Sequence, residues 1–160
     1  MILVTVGMQL GFDRLIKSMD EIALSLDMPV IAQTGIGEFK PVNMEAHDRI
    51  APDKFEALVK QSQLIVSHAG IGTVLTAQRF QKPILLVPRR ADLGEHRNDH
   101  QLATASNLHG RPGILVAMDE AVLHERIIEG LAMEIAPSVR SESSQRLHQS
   151  IAQFIDTGRL

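Results

Sequence analysis

LIVSHAGIGTVLTA, residues 64–77, holds the pattern on which the fold turns. Leu64, Ile65 and Val66 are apolar without a break, Gly70 and Gly72 follow within a few residues, and a helix is expected over residues 72–80. An unbroken apolar run marks a strand buried on both faces, and such strands belong to parallel sheets covered by helices. The two glycines let main chain come close to a ligand, and the N–H groups that open the next helix face an anion. A strand, turn and helix of this kind suits a phosphate or pyrophosphate.

The same cycle recurs on either side. Ile2, Leu3, Val4, Thr5 and Val6 make a short strand that ends at Gly7, and Phe12, Leu15, Ile16, Met19, Ile22, Ala23 and Leu26 then recur at helical spacing. Val30, Ile31 and Ala32 form a second strand before Gly35 and Gly37, residues 42–50 read as a third and less apolar one, and Pro52 opens a helix to about residue 61. Downstream, Ile84, Leu85, Leu86 and Val87 precede Pro88, a polar loop over 89–98 leads into a helix through Leu108, and Ile114, Leu115 and Val116 make the last strand. Asp119 is expected to cap a helix to about residue 129. A terminal amphipathic helix is expected over 139–155, with Val139, Leu147, Ile151 and Phe154 on the side that docks a partner or packs on its own domain. About six strands alternating with helices predict a doubly wound α/β sheet in one domain over residues 1–160, with ligands beyond the carboxyl ends of the strands.

Composition narrows the classes of function. A formal charge of −3 argues against generic nucleic-acid binding, and five Phe with no Trp or Tyr leave few platforms for base stacking. Without cysteine there is neither a disulfide framework nor a thiolate nucleophile, which suits a reducing compartment, so a cytoplasmic location is expected. The start MILVTVG has no basic leader, and no apolar stretch approaches the roughly 18 residues of a membrane span.

Spacing excludes two familiar phosphate motifs. A dinucleotide fingerprint needs a third glycine where Leu75 stands, and a P-loop needs Gly-Lys-Ser/Thr after its first glycine. Gly35 and Gly37 fail the first test as well, because Lys40 occupies the third position. His68 is a candidate base, and a hydrogen-bonded structural role is its alternative. His96 and His100 share a helix face at a spacing of four but lack an evident third ligand, so no metal and no cofactor is expected. There is no Asp-x-Asp pair to hold an ion against a diphosphate, which leaves a departing phosphate to main-chain dipoles and cations. The densest polar stretch, PRRADLGEHRNDHQ over 88–101, falls in the loop after a buried strand, beside residues 64–77.

These segments resemble the donor-binding, C-terminal half of the family 28 glycosyltransferases. The resemblance runs in order from VTVGMQ (4–9), through residues 48–89, to NDHQLATA (98–105), about the first two thirds of the chain. The wording of 88–101 is most similar to bacterial exopolysaccharide subunits that work as half of a two-chain transferase, some with UDP-glucuronate as donor. A Rossmann-like half of the two-domain GT-B architecture is thereby implied.

The resemblance also implies roles. The loop 7–11, with Gly7 and Gln9, and the turn carrying Ser67, Gly70, Ile71, Gly72 and Thr73 would hold the UDP diphosphate. Arg49 and Ile50 would meet the uracil edge. Asn98, Asp99, His100 and Gln101 would reach sugar hydroxyls. Several relatives bind the ribose with a Glu where Thr76 stands here, so Glu95 is the possible substitute. Cations at Arg89, Arg90 or Arg97 would neutralise the departing UDP, and catalysis is assigned to His68, Arg89 and Arg97. One of these arginines would fork the carboxylate if the donor is UDP-glucuronate. A membrane-associated, Alg14-like partner would present a lipid-linked acceptor, keeping this chain at the inner face of the membrane. Two other readings remain: a stand-alone UDP-sugar epimerase or hydrolase, and a non-catalytic nucleotide-binding module.

Overall fold

The computed structural model describes residues 1–135. The helix expected over 139–155 lies outside the described residues. Six parallel strands, β1 (Ile2–Thr5), β2 (Val30–Gln33), β3 (Glu45–His47), β4 (Leu64–His68), β5 (Ile84–Val87) and β6 (Ile114–Val116), form one sheet in the order β3-β2-β1-β4-β5-β6. The helices are α1 (Asp13–Ala23), α2 (Pro52–Gln61), α3 (Ile71–Arg79), α4 (His100–Leu108) and α5 (Leu123–Leu131). The doubly wound, Rossmann-like parallel sheet expected from the sequence is the fold.

Alternate residues of each strand feed two cores. Ile2, Val4, Leu64, Val66, Leu85 and Val87 meet Leu15, Ile16 and Met19 of α1 and Leu123 and Ile127 of α5 on one face. Leu3, Ile65, Ile84, Leu86 and Ile114 meet Val59 of α2, Val74 and Ala77 of α3 and Ala105 of α4 on the other. Both faces are covered, which is why these strands are apolar without alternation.

Strand order reverses between β1 and β4, neighbours in register from Ile2↔Leu64 to Thr5↔Ser67. In a doubly wound sheet this switch point opens a crevice at the carboxyl ends of the two strands. The loop 7–11 leaves β1 and the turn into α3 leaves β4 at this end of the sheet.

Some boundaries differ from those expected. The third strand contracts from residues 42–50 to Glu45–His47: at its start the buried carboxylate of Asp20 takes the amides of Val42 (3.0 Å) and Asn43 (2.7 Å) out of the ladder, and at its end the Ile50 amide donates to Gln33 Oε1 (3.0 Å). Helix α1 stops at Ala23, where Ser25 Oγ donates to the Ile22 carbonyl (2.8 Å). Asp119 caps only a single tight turn, accepting from the Ala121 amide at 2.8 Å, and α5 follows it. The strand β4 runs two residues beyond the apolar run, so Ser67 and His68 belong to it. Among the described residues no helix is long and apolar enough to cross a membrane.

At the junction of β4 and α3 the two glycines differ. A Cβ at Gly70 would overlap the His68 ring at Nε2, whereas nothing lies within 4 Å of one at Gly72. Gly70→Ala is therefore expected to destabilise the fold by about 1–3 kcal/mol through overpacking. Gly72→Ala, in open space within α3, is expected to stabilise it by about 0.5–1 kcal/mol. Urea unfolding of both variants checks this, and equal losses would contradict the assigned geometry.

Candidate functional site

The crevice at the switch point is a cleft of about 190 Å³ lined by Val6, Gly7, Met8, Gln9, Leu10, His68, Arg89, His96 and Gln101. Among the described residues this lining holds a guanidinium, two imidazoles and two amides, and no carboxylate. Beside it opens a larger cavity of about 580 Å³ lined by Gln9, Leu10, Gly94, Glu95, His96 and Arg97.

Gly7 has φ of +81°, a left-handed conformation natural to glycine, and it turns the chain out of β1 over the His68 ring. A Cβ there would lie 3.3 Å from His68 Cε1, so the imidazole sits between two glycines. Its Nδ1 lies 3.3 Å from Ser67 Oγ. Burial, and next the positive charge of Arg89, push the His68 pKa down to about 4; a main-chain hydrogen bond at Thr5 opposes this, and His96 adds to it. At neutral pH the ring is uncharged.

Arg89 is the largest fully buried side chain, 1% exposed. Its Nη1 donates to the Gly11 carbonyl (2.6 Å) and its Nη2 to those of Val6 (2.8 Å) and Leu10 (3.0 Å). The guanidinium lies 4.9 Å from the centre of the Phe12 ring, and burial lowers its pKa from the ordinary value while Glu95 raises it. Its amide donates to Gln101 Oε1 at 3.1 Å, which fixes Gln101 against the cleft. The cation expected to meet a leaving group is thus committed through its Nη atoms to holding the loop 7–11, and it brings its charge to the floor of the cleft.

The loop 89–99 is braced at several points. Arg14 of α1 donates from Nε and Nη2 to the two oxygens of Glu95 (2.7 and 2.9 Å) and from Nη1 to Glu120 (2.8 Å). Glu95 also accepts from the Arg90 amide (2.9 Å). Both oxygens of Glu95 are engaged, so a ribose contact at this residue would have to break the pair with Arg14. Arg90 pairs with Asp92 (2.8 Å), Asp99 accepts from the Ala91 amide (2.9 Å), and Asn98 pairs with His100. Arg97 makes no hydrogen bond or ion pair with the described residues, and it lines the larger cavity.

The helix α3 has Gly70 at its N-cap and no side-chain cap, so the amides of its first turn are open. Ile71 and Gly72 are exposed there, and Thr73 is half-buried. Thr76 Oγ1 donates back to the Gly72 carbonyl (2.9 Å), which occupies its proton. Ser67 is fully buried behind the cleft. Arg49 and Ile50 do not join this lining. They line a cavity of about 520 Å³ near the β3 edge with Lys54 and Leu58, and the Ile50 amide donates to Gln33 Oε1 (3.0 Å). Sequence reasoning missed Gln33, buried at the end of β2, and His96, which it weighed only as half of a metal pair; a polar residue ending an apolar strand was the one available signal for the former.

The chain matches the glycosyltransferase family 28 C-terminal domain over residues 1–156, and it belongs to that family. Among curated proteins it is 29% identical over 125 residues, 69% of this chain, to a UDP-N-acetylglucosamine–N-acetylmuramyl-(pentapeptide) pyrophosphoryl-undecaprenol N-acetylglucosamine transferase of Leuconostoc citreum. It is 40% identical over 68 residues, 41% of this chain, to the UDP-N-acetylglucosamine transferase subunit ALG13 of Cryptococcus neoformans. The matched stretches amount to 34% and 32% of those two proteins, about a third of each. The solution structure of an ALG13 superposes with a TM-score of 0.60 at 16% identity, covering 91% of this chain and 93% of that one, a likeness of fold.

The neutral His68 makes the fold sensitive to acid. Between pH 6.5 and 4 the unfolded chain binds a proton at this position and the folded chain does not, so stability falls as pH falls through that window. At pH 4.5 the contribution is about 2 kcal/mol. The difference between urea-unfolding free energies at pH 7 and pH 4.5 is expected to shrink by that amount in His68→Gln. An unchanged difference would mean that the ring protonates freely.

Proposed function

We propose that this chain is the UDP-sugar-binding, catalytic subunit of a two-chain glycosyltransferase. It takes a hexosyl or glucuronosyl donor and passes the sugar to a lipid-linked acceptor held by a membrane-associated partner in polysaccharide synthesis. The observation that carries this reading is the carboxylate-free cleft at the switch point, set beside the uncapped start of α3. Open amides, a helix dipole and a buried guanidinium together suit a diphosphate. The two curated relatives, a UDP-sugar transferase onto a pyrophosphoryl lipid and a transferase subunit, point the same way.

In the reaction an acceptor oxygen bonds to the anomeric carbon while the bond from that carbon to the diphosphate oxygen breaks. The electron pair leaves with UDP, and the acceptor proton passes to a base, which we assign to the partner. The amides of Gly72 and Thr73 would stabilise the charge growing on UDP, with Arg89 supporting the loop 7–11 from below. His68, uncharged at neutral pH, would act as a hydrogen-bonding group toward the diphosphate. Gln9 and the segment Asn98, Asp99, His100 and Gln101 would face the sugar. Arg49 and Ile50, in their cavity at the sheet edge, would meet the base. No metal or cofactor takes part in this scheme.

Of the three arginines in the loop after β5, Arg89 is committed to carbonyls and Arg90 to Asp92, which leaves Arg97 to read a carboxylate on the donor sugar. Calorimetric titration with UDP, UDP-glucose, UDP-glucuronate and NAD tests both levels of the reading. UDP is expected to bind and NAD not to compete. Arg97→Gln is expected to weaken UDP-glucuronate about tenfold, the loss of one charge-assisted pair, and to leave UDP-glucose unchanged. Equal effects on the two sugars would remove the carboxylate assignment, and failure to bind UDP would remove the donor reading itself.

A further inference from the structure

We propose that His96 is a binding residue for the distal phosphate of a nucleoside diphosphate; the inference rests on the donor reading above. His96 lines both the cleft and the larger cavity, so it stands on the ridge between them. Its Nδ1 is buried and has no hydrogen-bond partner among the described residues. Among the described residues only four side-chain nitrogen or oxygen atoms are buried in this way, and the second of them in this cleft is Arg89 Nε. Buried polar atoms are nearly always satisfied, so two unpartnered nitrogens in one small cleft point to a ligand that accepts hydrogen bonds.

The surroundings specify which acceptor. No carboxylate of the described residues lines the cleft, and Glu95, the acidic neighbour of His96 in sequence, has its oxygens held by Arg14 and by the Arg90 amide. The imidazole is held in place as well. The His100 ring meets it edge to face with centroids 4.6 Å apart, and the loop on either side is pinned by Glu95 and Asp99. At about 190 Å³ the cleft is below the roughly 300–1,000 Å³ usual for a drug-sized ligand. It suits the phosphate end of a nucleotide, with the remainder lying outside.

Binding of UDP and of UMP to the full chain separates this contact from the rest of the site, because the two differ only by the distal phosphate. Wild type is expected to prefer UDP. His96→Ala is expected to reduce the ratio of UDP to UMP affinity about tenfold, with UMP affinity unchanged, and His96→Asn to recover part of it, since its amide nitrogen replaces Nδ1. Equal losses for UDP and UMP, or no loss where wild type prefers UDP, would overturn the assignment. Wild type that binds neither nucleotide would overturn the donor reading and this inference with it. A second measurement needs no folded variant at the binding step. Inorganic pyrophosphate added to wild type is expected to shift the His96 ring signals in a nitrogen-correlated NMR spectrum, and unmoved signals would refute the contact.

Discussion

Arg89 enters the interior from the end of β5 and gives its Nη protons to the carbonyls of Val6, Leu10 and Gly11, which follow β1. A buried guanidinium is tolerable only when most of its donors find acceptors and oriented dipoles balance its charge. Here three main-chain carbonyls do this, and they can do so only if the loop 7–11 folds back over the end of the sheet. The loop and the arginine therefore fix each other. Everything at the switch point is set from this contact: the turn at Gly7, the His68 ring beneath it, and the Gln101 amide that caps the Arg89 main chain.

A second brace works from the other side of the cleft. Arg14 gathers Glu95, Glu120 and the Pro88 carbonyl, and so anchors the loop after β5 to the first helix. The electrostatic outcome matters as much as the mechanical one. Glu95 is drawn toward Arg14, and the lining that remains is cationic or neutral. An anion entering at the switch point meets open amides and positive charge without an opposing carboxylate.

Much of the sheet was legible in the sequence because it depends on local pattern. Apolar runs such as Leu64, Ile65 and Val66 can only be strands buried on both faces, and the helices between them follow from spacing. The third strand was overestimated because its limits depend on Asp20, more than twenty residues away in the chain, whose carboxylate claims two amides that a ladder would have used. The polar loop after β5 was recognised as important from its density of charge. The division of labour inside it was not, since Arg89, Arg90 and Arg97 look alike in sequence.

Composition and periodicity alone determined a doubly wound α/β sheet and the strand-to-helix turn over residues 67–73. Tertiary structure decided which charges remain available. Arg89 lies 78 or more residues from the carbonyls it binds, and Arg14 lies 81 from Glu95, so no local pattern could announce either pairing. It also separated Gly70, required by the His68 ring, from Gly72, which faces open space. Secondary structure is written in short-range spacing, whereas the charge, burial and hydrogen bonding of a site arise from contacts between distant segments.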